Sequence, residues 1–303
     1  MRSGCQATHS ALPPIEQPNS IQHLWQTYDE AHHLEHREQY ADGYLRHFPK
    51  PCATAAPRSF RLLEIGVQSG GNARAWKRYF GQQLYYAGVD IEPKTKRTQS
   101  EAENMFVEIG SQANATFLEE VCRKHGPFDA VVDDGSHRPG HMWTALRAIF
   151  PSDACMSNPS AVYVIEDTHV MMMQAGVSSN PFLAKGETAR DVYDLAGEAF
   201  WSMHHRWTRH ALYPGRRRLH PIFLDRVDGV FLYDSIMFIS RGPGNTGQAP
   251  KVISRGKDSF GYGRGAPSKQ LRDVSTGRHE AGTGFAGSNY SLSVEREVSK
   301  YSP

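Results

Sequence analysis

The chain has no two cysteines spaced as C-x-x-C: Cys5, Cys52, Cys122 and Cys155 stand far apart. That argues against a zinc ribbon or a dithiol redox motif and for isolated thiols in a reducing compartment, the cytoplasm. No run of 18 apolar residues exists, so no segment suits a bilayer span. The first 20 residues, with Pro13 and Pro14 and no apolar stretch, do not read as a secretory signal. Net charge is also scarce, +2 over 303 residues. Residues 241–303 hold ten Lys and Arg against five Asp and Glu, leaving residues 1–240 with 24 against 27. The body therefore lacks the basic field of a nucleic-acid binder, and neither nucleic acid nor membrane is an expected partner.

What is present suits a globular core: 39% hydrophobic and 11% aromatic residues. The organising stretch is Arg61 to Phe80, RLLEIGVQSGGNARAWKRYF. Leu62, Leu63, Ile65 and Val67 form an apolar, partly β-branched run that reads as a strand buried on both faces; Gly66, Gly70 and Gly71 interrupt it before an amphipathic helix. Strand, glycine turn and helix open a doubly wound α/β domain. The glycines let the backbone approach a ligand, and the helix start at Gly71-Asn72 offers free N–H groups to an anion. The spacing is not G-x-G-x-x-G, so no dinucleotide fingerprint is met. Glu64, just before the turn, is placed to hold an ammonium or hydroxyl group. The purely structural alternative is a turn that packs helix on sheet.

The rest of the chain divides by composition. Residues 1–20 read as disordered. Residues 21–57 read as a helical cover and linker, with Leu24, Trp25, Tyr28, Tyr40, Tyr44, Leu45 and Phe48 at helical spacing, placed to cover the sheet or the site mouth. His32, His33 and His36 lack a further ligand nearby and suit a solvated helix face better than a metal site. Residues 58–240 alternate strand and helix, and residues 241–303 hold 11 of the 27 glycines and read as a disordered, low-complexity tail. Val170 to Glu187 has no clear period and reads as a lid. Thr188 to His204 reads as a helix, and the last strands are expected over Leu219 to Leu224 and Val230 to Ser240.

The strand ends carry the chemistry. Leu84 to Val89 ends in Asp90, 20 positions after Gly70, where an acidic residue accepts both hydroxyls of a ribose. The third strand, Met105 to Ile109, is followed by Gly110-Ser111-Gln112 where an adenine ring would rest. The fourth, Phe128 to Val132, ends in Asp133-Asp134-Gly135-Ser136-His137, and the fifth, Val162 to Ile165, in Glu166-Asp167-Thr168-His169. Ligands bind at the carboxyl ends of parallel strands, and neighbouring strands lie about 4.8 Å apart. Four carboxylates and two imidazoles thus meet on one rim. Carboxylates that close raise one another's pKa unless a cation intervenes, so a hard divalent ion, magnesium, is the economical explanation. Successive strand residues face opposite sides, so one of Asp133 and Asp134 faces the cofactor and the other the metal. A single Asp here would suit a helix N-cap; two acidic pairs on adjacent tips would not.

The motifs LLEIGVQSGGNARAWKRYF, GVDIEP, FDAVVDDGSH, VYVIEDTH and FLYDSIMFISR resemble, in the same order, the metal-dependent macrolide-sugar O-methyltransferases. The resemblance spans roughly residues 20 to 240. It implies the class I S-adenosylmethionine methyltransferase fold, a Rossmann-like, mostly parallel seven-stranded sheet with its last strand antiparallel. It also implies Glu64, Gly66 and Asp90 around S-adenosylmethionine, with Gln112 and Asp133 as further contacts, Asp134, Glu166 and Asp167 as Mg2+ ligands, and His137 as the base. His169 fits as an orienting partner of a carboxylate. The macrolide enzymes carry a sizeable extra N-terminal domain, whereas about 60 residues precede the first strand here.

The reading that follows is transfer of a methyl group to a hydroxyl of a glycoside or other polyhydroxylated small molecule, by a chain that can form a homo-oligomer. Two rivals remain. A cephalosporin-hydroxylase-like enzyme would need an iron triad with two histidines, for which His137 and His169 are the candidates. A non-catalytic cofactor-binding module would work through its tail, where GYGRG is weakly RNA-binding in character, but would have no need of crowded carboxylates.

Overall fold

The computed structural model describes residues 21–28, 33–34, 37–49, 59–156, 160–170, 195–200, 203 and 226–242. All lie in the first of the two units, 1–246 and 247–303, into which the chain divides. The residues 1–20, most of the expected lid, the strand over Leu219 to Leu224 and the tail beyond Gly242 fall outside the described residues.

Two short helices, α1 (Ile21–Gln26) and α2 (Tyr40–His47), precede the sheet domain. There follow β1 (Phe60–Ile65), α3 (Gly71–Phe80), β2 (Leu84–Asp90), β3 (Met105–Ile109), α4 (Ala115–His125), β4 (Ala130–Asp133), α5 (Pro139–Ile149), β5 (Val162–Ile165), β6 (Val227–Tyr233) and β7 (Ile236–Arg241). The local signals are legible. Asn114 caps α4 by accepting from Phe117 N at 3.1 Å, and Pro139 opens α5 where no N–H is needed. Of the helix expected over Thr188 to His204, residues 195–200 are described and helical.

The seven strands form one sheet in the order β3-β2-β1-β4-β5-β7-β6. The five strands from β1 to β5 pair in parallel, and β7 runs antiparallel to both β5 and β6. The order reverses between β1 and β4, so the crevice at their carboxyl ends is the ligand position for such a sheet. Strand residues alternate between two cores. Leu62, Tyr86, Val132 and Phe238 pack under α1, α2 and α3 around Trp76. Leu63, Val89, Val131 and Ile165 pack on the other side under α4 and α5. This is why the strands read as continuous apolar runs rather than alternating ones.

Two expectations are corrected. Val230 to Ser240 is not one strand but the hairpin β6–β7, turning at Asp234-Ser235, with Ser235 in the left-handed region at φ 66°. The polar pair amid apolar residues was the turn signal. Cys122 and Cys155 are not isolated thiols: they form a disulfide with Cα atoms 4.6 Å apart. A separation of 33 residues says nothing of pairing until α4 and the turn after α5 share a core, so the cysteines give no support to a reducing compartment. Among the described residues no helix is long and apolar enough to cross a membrane.

Trp76 is fully buried and ties the N-terminal helices to the sheet, its ring 5.1 Å from that of Tyr44 and 5.3 Å from that of Phe48. Trp76→Ala is expected to cost about 3–5 kcal/mol of unfolding free energy. Urea denaturation measures it, and a loss under about 1 kcal/mol would contradict this account of the core.

Candidate active site

A cleft of about 1190 Å³ opens at the carboxyl ends of β1, β2, β4 and β5. One half is built by the glycine turn. Gly66 has φ +97°, and a Cβ there would collide with the carbonyl oxygen of Asp134, so only glycine lets β1 leave the sheet beside β4. Gly70, at φ 85°, then starts α3. Asp90 holds the turn closed: its Oδ2 accepts from the backbone N–H of Val67 at 2.9 Å and of Gln68 at 2.8 Å, and its Oδ1 accepts from Glu92 N at 2.8 Å.

Gly66, Asp90 and Gln112 line this half of the cleft; Glu64 and Asp133, read from the sequence as cofactor contacts, lie behind its wall. Glu64 is fully buried and accepts from Tyr86 OH and Asn72 Nδ2. Burial outweighs those donors and raises its pKa to about 7. Asp133 accepts from Gln112 Nε2 at 2.5 Å and Tyr163 OH at 3.1 Å, while burial lifts it to about 6. Gln112 Oε1 in turn accepts from Ser136 N at 3.0 Å, so the amide fixes the loop after β4. The pleat does separate the two aspartates, Asp133 to the interior and Asp134 to the cleft.

In the other half, one side-chain oxygen or nitrogen from each of Asp134, His137 and Asp167 lies within 4.8 Å of the others; Glu166, expected from the sequence as a third metal ligand, is not one of these three. His137 Nε2 lies 3.9 Å from Asp134 Oδ1 and 3.8 Å from Asp167 Oδ2. Its Nδ1 is buried with no hydrogen-bond partner among the described residues. His137 and Asp167 both sit at positive φ, 53° and 51°, strained backbone that recurs at functional sites. Glu166 also lines the cleft, buried, with its Oε1 taking the hydroxyl of Tyr44.

The electrostatics follow from the crowding. Burial raises Asp134 well above the carboxylate range, and the charges of Glu166, Glu64 and Asp167 add to it. Burial lifts Glu166 to about 8 against the pull of Tyr44, with Glu64 and Asp167 pushing further. Burial would raise Asp167 as well, but Tyr40 and Arg37 outweigh it and hold the group below its usual value. Burial lowers His137 despite the nearby Asp167, so its imidazole is neutral near pH 7 and able to accept a proton. Carboxylates that share a half-buried rim in this way, with His137 Nε2 beside them, fit a divalent cation.

The sequence marks Tyr40 and Tyr44 only as part of a helical cover and does not single out Arg37 or Ser235. Arg37 Nε donates to Asp167 Oδ1 at 2.9 Å, and its Nη2 meets His169 Nε2 at 3.1 Å. A guanidinium only donates, so His169 Nε2 accepts and Nδ1 carries the proton that goes to Ser235 Oγ. Both His169 nitrogens are thus engaged away from His137, and the His137–His169 pair proposed for an iron triad is not assembled among the described residues. The i,i+4 spacing of Tyr40 and Tyr44 was visible, but it equally fits core aromatics. His141, whose Nδ1 lies 2.9 Å from Ser136 Oγ, is a further histidine on the cleft.

No family model matches the chain. It is similar to the demethylmacrocin O-methyltransferase of Streptomyces fradiae, 32% identical over 226 residues, covering 72% of this chain and 53% of that protein. It is similar also to the mycinamicin VI 2''-O-methyltransferase of Micromonospora griseorubida, 28% identical over 226 residues and covering 72% and 52%. The chain thus spans about half the length of the curated relatives it matches. Among solved structures, the MycE methyltransferase of the mycinamycin biosynthetic pathway, in complex with Mg and SAH, superposes with a TM-score of 0.57. That match is 26% identical and covers 78% of this chain and 58% of that one. By sequence and by architecture, this chain is a homologue of the macrolide-sugar O-methyltransferases built on the class I S-adenosylmethionine methyltransferase fold.

Proposed function

We propose that the protein transfers a methyl group from S-adenosylmethionine to a hydroxyl of a glycoside or other polyhydroxylated small molecule, with Mg2+ as cofactor. The observation that carries this reading is that the Gly66–Asp90 cradle and the Asp134–His137–Asp167 group open into one cleft. The named O-methyltransferase activities of the relatives support the choice of a hydroxyl as acceptor. The location we propose is the cytoplasm, where the methyl donor is made.

In this reading Gly66 allows the cofactor to approach the backbone, Asp90 and Gln112 face it, and Glu64 and Asp133 stiffen the wall behind. Asp134, Glu166 and Asp167 would hold the cation. A hard divalent ion there would lower the pKa of an acceptor hydroxyl. His137 takes the hydroxyl proton at Nε2. The acceptor oxygen forms a bond to the methyl carbon as the carbon–sulfur bond breaks, its electron pair going to sulfur. Alignment of the two halves is what remains for the protein to supply.

His137→Ala is expected to lower kcat by about 10²–10⁴-fold while leaving Mg2+ affinity nearly intact, because a base is lost and a ligand is not. Asp134→Asn is expected to abolish both. Assays with labelled methyl donor, paired with Mg2+ titration calorimetry, separate the two, and full activity in EDTA or in the His137 variant would contradict the mechanism.

A pH dependence follows from Glu64 and Glu166, whose folded pKa values, about 7 and about 8, exceed the ordinary 4.5. Raised acids contribute stability that is complete below the ordinary value and lost as pH rises through the folded one. The melting temperature of the cation-free protein is therefore expected to fall between about pH 4.5 and about pH 8, with Mg2+ restoring the part that comes from Glu166. A melting temperature that rises across that window without a cation would contradict the assignment.

A further inference from the structure

Helix α2 reaches the candidate cation site through two hydroxyls. Tyr40 and Tyr44 are one turn apart, so they share one face of the helix, and each is 1% exposed. That face meets the tip of β5, where Tyr44 OH donates to Glu166 Oε1 and Tyr40 OH donates to Asp167 Oδ1 at 2.5 Å. Asp167 Oδ1 also accepts from Arg37 Nε at 2.9 Å, so two donors anchor that oxygen while Oδ2 lies 3.8 Å from His137 Nε2.

The Tyr40 hydroxyl is itself fixed from a third segment. Ser235, in the β6–β7 turn, brings its Oγ within 3.0 Å and its carbonyl oxygen within 3.1 Å of it, and Asp167 N donates to the phenol oxygen at 3.2 Å. Ser235 Oγ also meets His169 Nδ1, and His169 Nε2 meets Arg37. The contacts close a ring: Tyr40, Asp167, Arg37, His169, Ser235. Packing alone explains the tyrosine rings, since that of Tyr44 lies against Trp76 and Phe238. Packing does not explain why both hydroxyls go to the two adjacent acidic residues of one strand tip, because phenylalanine would fill the same volume without burying a polar atom.

We propose that Tyr40 and Tyr44 are positioning residues for the cation site: each engages one oxygen of a carboxylate and so fixes the direction in which the other oxygen points. The segment that precedes the sheet domain then sets the geometry in which Asp167 and Glu166 meet a divalent cation. This rests on the reading of Asp134, Glu166 and Asp167 as cation ligands. Outer partners of metal-ligating carboxylates act in this way, at a typical cost of 10–100-fold in affinity when removed.

The test uses the full chain and Mn2+ as probe, with bound and free ion distinguished by electron paramagnetic resonance. Tyr40→Phe and Tyr44→Phe are each expected to weaken Mn2+ binding by about 10–100-fold while S-adenosylhomocysteine affinity stays within about 3-fold. The Mg2+ concentration for half-maximal methyl transfer should rise by the same factor, with kcat recovering at saturation, a split that loss of fold would not produce. Should Tyr40→Phe fail to fold, Ser235→Ala, which leaves both rings in place, is expected to weaken binding by about 3–10-fold. Asp134→Asn distinguishes the two levels of the argument. If it loses Mn2+ while the tyrosine and serine variants bind as the wild type does, the cation site stands and this inference is overturned. If the wild type binds no Mn2+, the reading of the site is overturned and this inference with it.

Discussion

Three acidic side chains on the ends of two neighbouring strands, Asp134, Glu166 and Asp167, share a rim whose low polarity makes their mutual repulsion costly. The surrounding architecture answers that constraint. Asp167 is kept ionised by Arg37 and Tyr40, whereas Asp134 and Glu166 are driven toward their protonated forms. In the function proposed above, a rim so divided would be held for a positive charge to enter, since apolar residues at these tips would avoid the cost of crowding acids there.

The topology puts this rim next to the cofactor cradle. Because the strand order reverses between β1 and β4, Gly66 at the end of β1 lies directly against the Asp134 backbone at the end of β4. One peptide of separation along β4 then sends Asp133 inward, to brace Gln112 and the cofactor wall, and Asp134 outward to the cleft. In the proposed function, a donor group over the glycine turn and an acceptor over the carboxylates would thus be brought together by adjacent strands rather than by mobile loops, the arrangement that holds reactants best.

Much of this was legible in the sequence, for physical reasons that differ by residue. The strands β1 to β5 announced themselves as short apolar runs ending in glycine or acidic residues, and the tips DDGSH and EDTH carried chemistry that a fold alone would not require. The roles of Glu64 and Asp133 were less legible, because residue type and position cannot tell a carboxylate facing a cleft from one a layer behind it. Tyr40, Tyr44, Arg37 and Ser235 were not legible as site residues: they lie 66 or more positions from the tip they support, and a tyrosine at helical spacing has the pattern of any buried aromatic. The hairpin at Ser235 and the Cys122–Cys155 pair were hidden for the same reason, long-range geometry that no local period encodes.

The central claim is that this rim is a cation site, with Asp167 ionised and its neighbours Asp134 and Glu166 driven toward their protonated forms until a cation enters. Calorimetric titration of the full chain with Mg2+ near pH 7, in buffers of different ionisation enthalpy, tests it most directly. The account predicts saturable binding accompanied by release of protons from the carboxylate group. Absence of binding, or binding that releases no proton and is unchanged in Asp134→Asn, would contradict it.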